Sequence, residues 1–220
     1  TKNLAFFCRE LEADLIYLST DYVFSGDKGT PYVETDRPGP INAYGMTKLL
    51  GEVFTQALLD QHKIVRTSWL NGLGGDSGRN FIETMLRVSE TRSVLSLVAD
   101  QRGRPTFTFD LAQALVTLLD VNAYGVFHIT NSGEASWYDF AKEIFEIAGK
   151  KDLTLKPVLT EQFRSAAKRP SYSVLDNKRF EALGLPLLPD WRESLREYFR
   201  RRNLSSRDTV PEDVGTPAQG

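Results

Sequence analysis

The feature that most constrains the fold is a regular alternation of short apolar strands and amphipathic helices along roughly the first 150 residues. Nearly continuous apolar runs occur at DLIYLS, KIVRTSWL, SVLSLVAD and GVFHITN. Between them, apolar residues recur at helical spacing in TKNLAFFCREL, LLGEVFTQALLDQH, NFIETMLRVSET, DLAQALVTLLD and SWYDFAKEIFEIAG. Strands of this kind are covered on both faces, and strands that alternate with helices usually pair in parallel. We therefore predict an α/β fold with a mainly parallel sheet and flanking helices.

One of these helices carries its own boundary signals. In SWYDFAKEIFEIAG, Ser136 and Asp139 are spaced like a helix-capping pair, and Gly149 is placed to end the helix. These residues predict a helix that begins just after Ser136 and stops before Gly149.

The pattern changes at about residue 150. One short strand, LTLKPVL, and small helices around DNKRFEALG and DWRESLREYFRRR are separated by prolines. We predict that residues 1–150 form the main α/β part and that residues 151–204 form a smaller lobe. Residues 205–220 have few apolar side chains to bury, so we expect them to be disordered.

Charge and composition exclude several classes of function. The net charge of -2 comes from 27 basic and 29 acidic residues interleaved along the chain, which does not favour binding to nucleic acid. The single cysteine rules out an internal disulfide, and two distant histidines offer little material for a metal site. We found no apolar run long enough to cross a membrane and no secretory signal, so we expect a cytoplasmic protein.

A segment rich in hydroxyl groups follows the first predicted strand. Ser19, Thr20, Asp21 and Tyr22 come directly after DLIYL, and ligands of parallel sheets bind beyond the carboxyl ends of the strands. Further along, Tyr44 and Lys48 are four residues apart at the start of a helix, which places them on one face. A nearby ammonium group lowers the pKa of a tyrosine and makes it a usable proton donor. A hydroxyl from Thr20 could hold the same carbonyl oxygen.

The spacing of Tyr44 and Lys48 is not specific by itself. Tyr138 and Lys142 have the same spacing inside the helix SWYDFAKEIF, where no strand end rich in hydroxyls precedes them. We interpret the pair of Tyr138 and Lys142 as structural. The pair of Tyr44 and Lys48 follows a strand end rich in hydroxyl groups, and this position favours a catalytic role.

A set of motifs gives the chain a close resemblance to a known family. STDYVFSG, PYVETD, PINAYGMTKLLGE, RTSWLNG, VADQRGRPT, GVFHITNSGEASWYDFA and RPSYSVLDNKRF occur in the order and spacing of the dTDP-4-dehydrorhamnose reductases, which are extended short-chain dehydrogenase/reductases. The resemblance covers about residues 1 to 200. It implies a partial Rossmann-like NAD(P)-binding domain followed by part of a substrate-binding lobe.

The resemblance also assigns roles. Thr20, Tyr44 and Lys48 take the catalytic positions, with Tyr44 donating a proton to the reduced C4 ketone of a dTDP-linked deoxysugar. The cofactor, NADPH or NADH, would contact Ser19, Tyr44 and Lys48. The positions that match substrate-binding residues of the family are Asp21, Tyr22, Trp69, Asn80, Gln101, Arg104, Thr106 and Arg169. Without the resemblance, Trp69 would be interpreted as core and Arg169 as a solvated surface residue.

The sequence departs from the family at its beginning. The strand and glycine-rich turn that bind a dinucleotide pyrophosphate are not found ahead of DLIYL, and the loop NGLGGDSG matches a substrate-side loop instead. We therefore expect that the chain as printed binds NADPH weakly, and that a homodimer or a missing N-terminal portion completes the sheet. Alternatives to the reductase are a non-catalytic regulatory subunit, an inactive fragment, or an epimerase or dehydratase that uses the same three catalytic residues.

Overall fold

The computed structural model describes residues 1–74, 80–163 and 167–208, with the backbone alone for residues 205–208. The helices found there are α1 (Lys2–Glu10), α2 (Ala43–Leu58), α3 (Phe81–Val88), α4 (Thr108–Leu119), α5 (Trp137–Ile147), α6 (Lys178–Ala182) and α7 (Trp191–Asp208). Short 3₁₀ helices span Asp21–Val23 and Thr160–Gln162. Within the described part of the chain, none of these helices is long and apolar enough to cross a membrane.

Strands fill the connections between the helices. They are β1 (Leu15–Thr20), β2 (His62–Thr67), β3 (Leu70–Asn71), β4 (Val94–Val98), β5 (Arg102–Gly103), β6 (Thr106–Phe107), β7 (Gly125–His128), β8 (Asn131–Ser132), β9 (Ala135–Ser136), β10 (Thr154–Val158) and β11 (Leu188–Asp190).

The main sheet is parallel and has the order β1-β2-β7. Its register places Ser19 of β1 beside Arg66 of β2, and Arg66 beside His128 of β7. Since neighbouring residues of paired strands point to the same face, these three side chains form one row across the sheet. The row lies next to Thr20, which ends β1.

A second parallel pair connects the two predicted parts of the chain. Strand β4 does not join the main sheet but pairs with β10, and β8 pairs with β11. Strands from before and after residue 150 therefore pair with each other. The division of the chain into two parts at that residue stays a prediction. The last helix, α7, continues to Asp208, which is four residues into the stretch expected to be disordered, and residues 209–220 lie outside the described residues.

One segment, residues 170–176, is held between the two parts. Tyr32 forms a parallel bridge with Leu175, and Arg102 forms one with Tyr172. The backbone N–H of Arg102 also donates to the carbonyl of Ser171 at 2.8 Å. This segment therefore contacts both the loop after β1 and strand β5.

The core consists mainly of aromatic and aliphatic side chains under the helices. The larger cluster packs α3, α5 and α7 together and includes fully buried Ile82, Phe140, Ile144 and Trp191. Helix α5 begins with a capping box formed by Ser136 and Asp139 and ends before Gly149, whose φ is +67°. The predicted boundaries of this helix are confirmed.

Candidate active site

Thr20 ends β1 and caps the short helix that follows it. Its Oγ1 accepts a hydrogen bond from the backbone N–H of Tyr22 at 3.2 Å and donates one to Asp21 Oδ1 at 3.1 Å. Asp21 is 2% exposed, and Ser173 of the 170–176 segment donates to its other carboxyl oxygen at 2.6 Å. Burial raises the pKa of Asp21 to about 7, although these hydrogen bonds lower it.

Helix α2 begins against this turn and carries the predicted catalytic pair. Asn42 caps the helix by accepting from Gly45 N at 2.8 Å. Gly45 is required there, because a Cβ at this position would lie 2.0 Å from the carbonyl oxygen of Tyr22. The close approach places the ring of Tyr44 edge-on to that of Tyr22, with 6.1 Å between centroids.

The two side chains of the pair differ in their surroundings. Tyr44 is 55% exposed, so much of its side chain is open to solvent. Lys48 lies one turn further, with Nζ 4.5 Å from the centroid of the Tyr17 ring of β1. Among the described residues, no carboxylate forms an ion pair with Lys48. The structure thus brings Tyr44 and Lys48 together with the turn after Thr20.

Ser19 faces the other side of the strand from Thr20. Its hydroxyl donates a hydrogen bond to Glu52 Oε1 of α2. Glu52 also accepts hydrogen bonds from Arg66 Nε at 3.0 Å and Arg66 Nη2 at 2.6 Å. All three side chains are buried. The hydroxyl of Ser19 is therefore engaged beneath helix α2, and its predicted contact with the cofactor stays a prediction.

His128 extends this buried row. Its Nδ1 lies 3.0 Å from the carbonyl oxygen of Tyr32, and its Nε2 lies 3.5 Å from Arg66 Nη1. Burial and the neighbouring guanidinium lower the pKa of His128 to about 3. His128 is therefore a neutral partner of Arg66.

Trp69 follows β2 in a strained conformation. Its φ is +43°, a value uncommon for residues other than glycine. The indole stacks on Trp137 with 3.6 Å between centroids and 7° between planes. Gly103 packs against the same ring, and a Cβ there would lie 2.5 Å from Trp69 Cε2. With neighbours this close, Trp69 offers a ligand only part of its ring.

A cleft of about 610 Å³ opens beside this stack. Its apolar wall includes Phe81, Met85, Val88, Leu95, Leu97, Val98 and Trp137, and its polar lining includes Arg92, Gln101, Thr160, Lys168 and Arg169. Gln101 Nε2 donates to Thr160 Oγ1 at 3.1 Å. The structure therefore places two predicted substrate residues, Gln101 and Arg169, in one cleft.

Tyr22, in the turn after Thr20, is influenced by a charged residue of the cleft. Burial and the charge of Asp21 raise the pKa of Tyr22 to about 12, while Arg169 acts in the opposite direction. Arg169 also lines the cleft, so its charge acts both on the cleft and on the Tyr22 hydroxyl.

Three other predicted substrate residues have structural partners. Asn80 caps α3, and its amide nitrogen donates to Gly72 O at 2.7 Å and to Tyr198 Oη at 2.9 Å. Thr106 is fully buried and donates to the carbonyl of Arg104 at 3.3 Å. Arg104 has a buried Nε without a hydrogen-bond partner in the described structure, and burial lowers its pKa. Substrate contacts by these residues stay predictions.

Sequence reasoning missed three residues of this region. Trp137 lines the cleft, Glu52 holds α2 to the sheet, and Ser173 binds Asp21. Glu52 alone gave a usable signal, because it follows Tyr44 and Lys48 at steps of four residues and so lies on their side of the helix.

Comparisons with known proteins show the family of the chain. Residues 1–203 match the RmlD substrate binding domain family. The chain is 42% identical to a dTDP-4-keto-6-deoxy-D-glucose reductase of Streptomyces niveus, over 90% of this chain and 68% of the relative. It is also 42% identical to a dTDP-4-dehydrorhamnose reductase of Mycolicibacterium smegmatis, over 89% of this chain and 60% of the relative.

Solved structures extend the comparison to the fold. A dTDP-4-dehydrorhamnose reductase of Bacillus anthracis, solved in complex with NADP, superposes with a TM-score of 0.86 at 42% identity, over 91% of this chain and 70% of that one. A dTDP-glucose 4,6-dehydratase of Streptomyces venezuelae, 17% identical with a TM-score of 0.74, shares the fold alone. The predicted α/β class with flanking helices is confirmed, and the chain spans about 60–70% of the length of the reductases compared here.

Proposed function

The chain belongs to the RmlD substrate binding domain family, and we propose that it carries out the NAD(P)H-dependent reduction of the C4 ketone of dTDP-4-dehydro-L-rhamnose to dTDP-L-rhamnose. The observation that carries the proposal is the placement of Tyr44 and Lys48 on the first turns of α2, directly against the turn that follows Thr20. The activities named for the relatives support the same reaction.

Tyr44 is the proton donor in this proposal. Its exposed hydroxyl can reach a bound ketone, and protonation of the oxygen as the carbonyl carbon is reduced yields the C4 alcohol. Lys48, one helical turn away, favours the phenolate that remains on Tyr44. In this proposal Thr20, which ends β1, holds the same oxygen once its hydroxyl is released from Asp21.

The residues present fit a nicotinamide nucleotide. Lys48 has no carboxylate partner within the described residues, so its ammonium group is free to bind ribose hydroxyls. When bound, NADPH or NADH supplies the reducing equivalent for the ketone carbon. The chain's own residues then orient the sugar and deliver the proton.

The cleft beside Trp137 is suited to the nucleotide end of the substrate. Its wall is apolar, which suits a base, and Arg92, Lys168 and Arg169 supply positive charge for a diphosphate. Arg169 also acts on Tyr22, which lies beside Tyr44. One substrate could therefore extend from the cleft to the catalytic hydroxyl.

An equally similar relative suggests a second substrate. The reductase from Streptomyces niveus is named for dTDP-4-keto-6-deoxy-D-glucose, which differs in the sugar and not in the reacting ketone. The test is therefore to offer both 4-keto sugars with NADPH and with NADH, to follow the near-ultraviolet absorbance of the reduced nicotinamide, and to identify the product by NMR.

The outcomes of this test are distinct. Oxidation of the nicotinamide with formation of dTDP-L-rhamnose supports the proposal. Turnover of the D-sugar alone supports the second substrate. Substrate binding without any turnover supports a non-catalytic role. We further propose a cytoplasmic location, which cell fractionation can test, and a homodimer, which light scattering can test.

A further inference from the structure

The hydroxyl of Thr20 is not free to donate a hydrogen bond to a ligand. A threonine hydroxyl has one hydrogen to donate and two lone pairs that accept. In the structure Thr20 Oγ1 lies 3.1 Å from Asp21 Oδ1 and accepts from the N–H of Tyr22 at 3.2 Å, so its hydrogen is directed to an ionised Asp21, which can only accept. A ketone oxygen only accepts hydrogen bonds, so Thr20 in this state cannot hold it.

Asp21 is unusual because it is a buried carboxyl group without a cation. It is 2% exposed, and no described residue forms an ion pair with it. Each of its carboxyl oxygens accepts a hydrogen bond from a hydroxyl group, Oδ1 from Thr20 and Oδ2 from Ser173. Burial without a compensating charge favours the neutral carboxylic acid.

The hydrogen bonds of Thr20 reverse when Asp21 is protonated. A proton on Oδ1 makes Asp21 the donor and Thr20 the acceptor, so the two lone pairs of Thr20 are filled by Asp21 and by the Tyr22 N–H. The hydrogen of Thr20 then becomes available to the site. We propose that Asp21 is a positioning residue that acts through Thr20: the Thr20 hydroxyl donates to the substrate ketone only while Asp21 carries a proton.

The inference rests on the proposed ketone reduction and needs no net proton transfer from Asp21. The groups that face Asp21 itself are the hydroxyls of Thr20 and Ser173. Its chain neighbour Tyr22 is in turn influenced by Tyr44 on α2 and by Arg169 ahead of the 170–176 segment. The pKa of Asp21, raised to about 7, agrees with a change of state in the working range of an enzyme.

The test compares kcat against pH for the wild type and for Asp21→Asn and Ser173→Ala. The wild type should lose about tenfold in kcat per pH unit above the apparent pKa of Asp21. Asparagine can donate to Thr20 and accept from Ser173 at every pH, so Asp21→Asn should lack this loss. Ser173→Ala removes a donor that stabilises the carboxylate, so the loss should move to higher pH. Asp120→Asn, an exposed position at the end of α4, is the matched control and should retain the wild-type profile.

A second measurement does not depend on turnover. NMR of protein labelled with ¹³C at the aspartate carboxyls gives the titration of Asp21, and the signal is assigned by its loss in Asp21→Asn. Titration close to the ordinary value of about 3.9 overturns the inference, as does an unchanged alkaline loss in Asp21→Asn. A wild type that turns over neither 4-keto sugar while Asp21 titrates near neutrality overturns the proposed function and supports the protonated state of Asp21.

Discussion

The indole rings of Trp69 and Trp137 lie parallel, with centroids 3.6 Å apart and planes within 7° of each other. Two indoles in this arrangement couple electronically, so we predict an exciton couplet in the ultraviolet circular dichroism spectrum. Trp137→Ala should abolish the couplet and raise KM, because Trp69 loses the ring that supports it. Trp191→Phe removes the third tryptophan and should leave the couplet in place. A couplet that survives in Trp137→Ala would contradict the stack.

Gly103 should not tolerate a side chain. A Cβ at this position would lie 2.5 Å from the Trp69 ring, which cannot retreat because Trp137 covers it. We predict that Gly103→Ala lowers the free energy of unfolding by about 1–3 kcal/mol, as overpacking usually does. Gly39→Ala is the matched control, since the nearest atom there is 3.9 Å away. Chemical denaturation of both variants checks the difference, and equal stabilities would refute the expected clash.

Replacement of Tyr44 by phenylalanine should remove the proton donor and keep the ring. We predict a decrease in kcat of about 10²–10⁴-fold with KM within a few-fold of wild type. Tyr138→Phe is the control, because Tyr138 also precedes a lysine by four residues, but that lysine pairs with Glu146 on the same helix. Steady-state kinetics measure both variants. Unchanged turnover in Tyr44→Phe would show that Tyr44 is not the proton donor.

Removal of one partner from the buried ion pair of Glu52 and Arg66 should strongly destabilise the fold. Glu52→Gln leaves the charge of Arg66 buried and unpaired, which we expect to cost about 3–5 kcal/mol. Glu143→Gln removes a carboxylate whose partner, Arg196, is largely exposed, and we expect a change of about 0–1 kcal/mol. Denaturant titration distinguishes the two. Similar small changes in both variants would show that Arg66 finds another partner or water.

His128 should make the fold sensitive to acid. Its pKa is lowered to about 3 in the folded chain against about 6.5 when unfolded, so its contribution to stability is present above pH 6.5 and is lost as the pH falls toward 3. The raised pKa of Asp21 acts in the opposite sense between about pH 4 and 7. His128→Gln should reduce the acid loss. Unfolding free energies measured across this pH range test the prediction, and parallel curves for wild type and His128→Gln would contradict it.

Local signals in the sequence were sufficient for much of the fold. Apolar runs and helical spacing located β1, β2, β7 and the long helices, and the capping pair at Ser136 located the start of α5. They did not indicate that β4 pairs with β10, because such pairing depends on contacts between residues some 60 positions apart. The pattern of a buried strand is the same whichever neighbour covers it.

The candidate site was predictable where its residues are close in sequence. Thr20, Tyr44 and Lys48 were found from a strand end and a helical step, and the structure places their elements side by side. Ser173 could not be found in this way, since 152 positions separate it from Asp21. The Glu52 partner of Ser19 could not be found in this way either, since which face of a strand a residue occupies does not show what covers that face, and the cofactor contact of Ser19 stays a prediction.

The 170–176 segment has a consequence for how such an enzyme can be altered. It is bridged to Tyr32 on one side and to Arg102 on the other, it supplies Ser173 to Asp21, and Arg169 at the cleft immediately precedes it. A displacement along this segment would move Arg169 at the cleft and the Ser173 hydroxyl at Asp21 together. If the proposed reaction holds, natural or engineered changes to these few residues should therefore alter ligand affinity and catalytic rate at once.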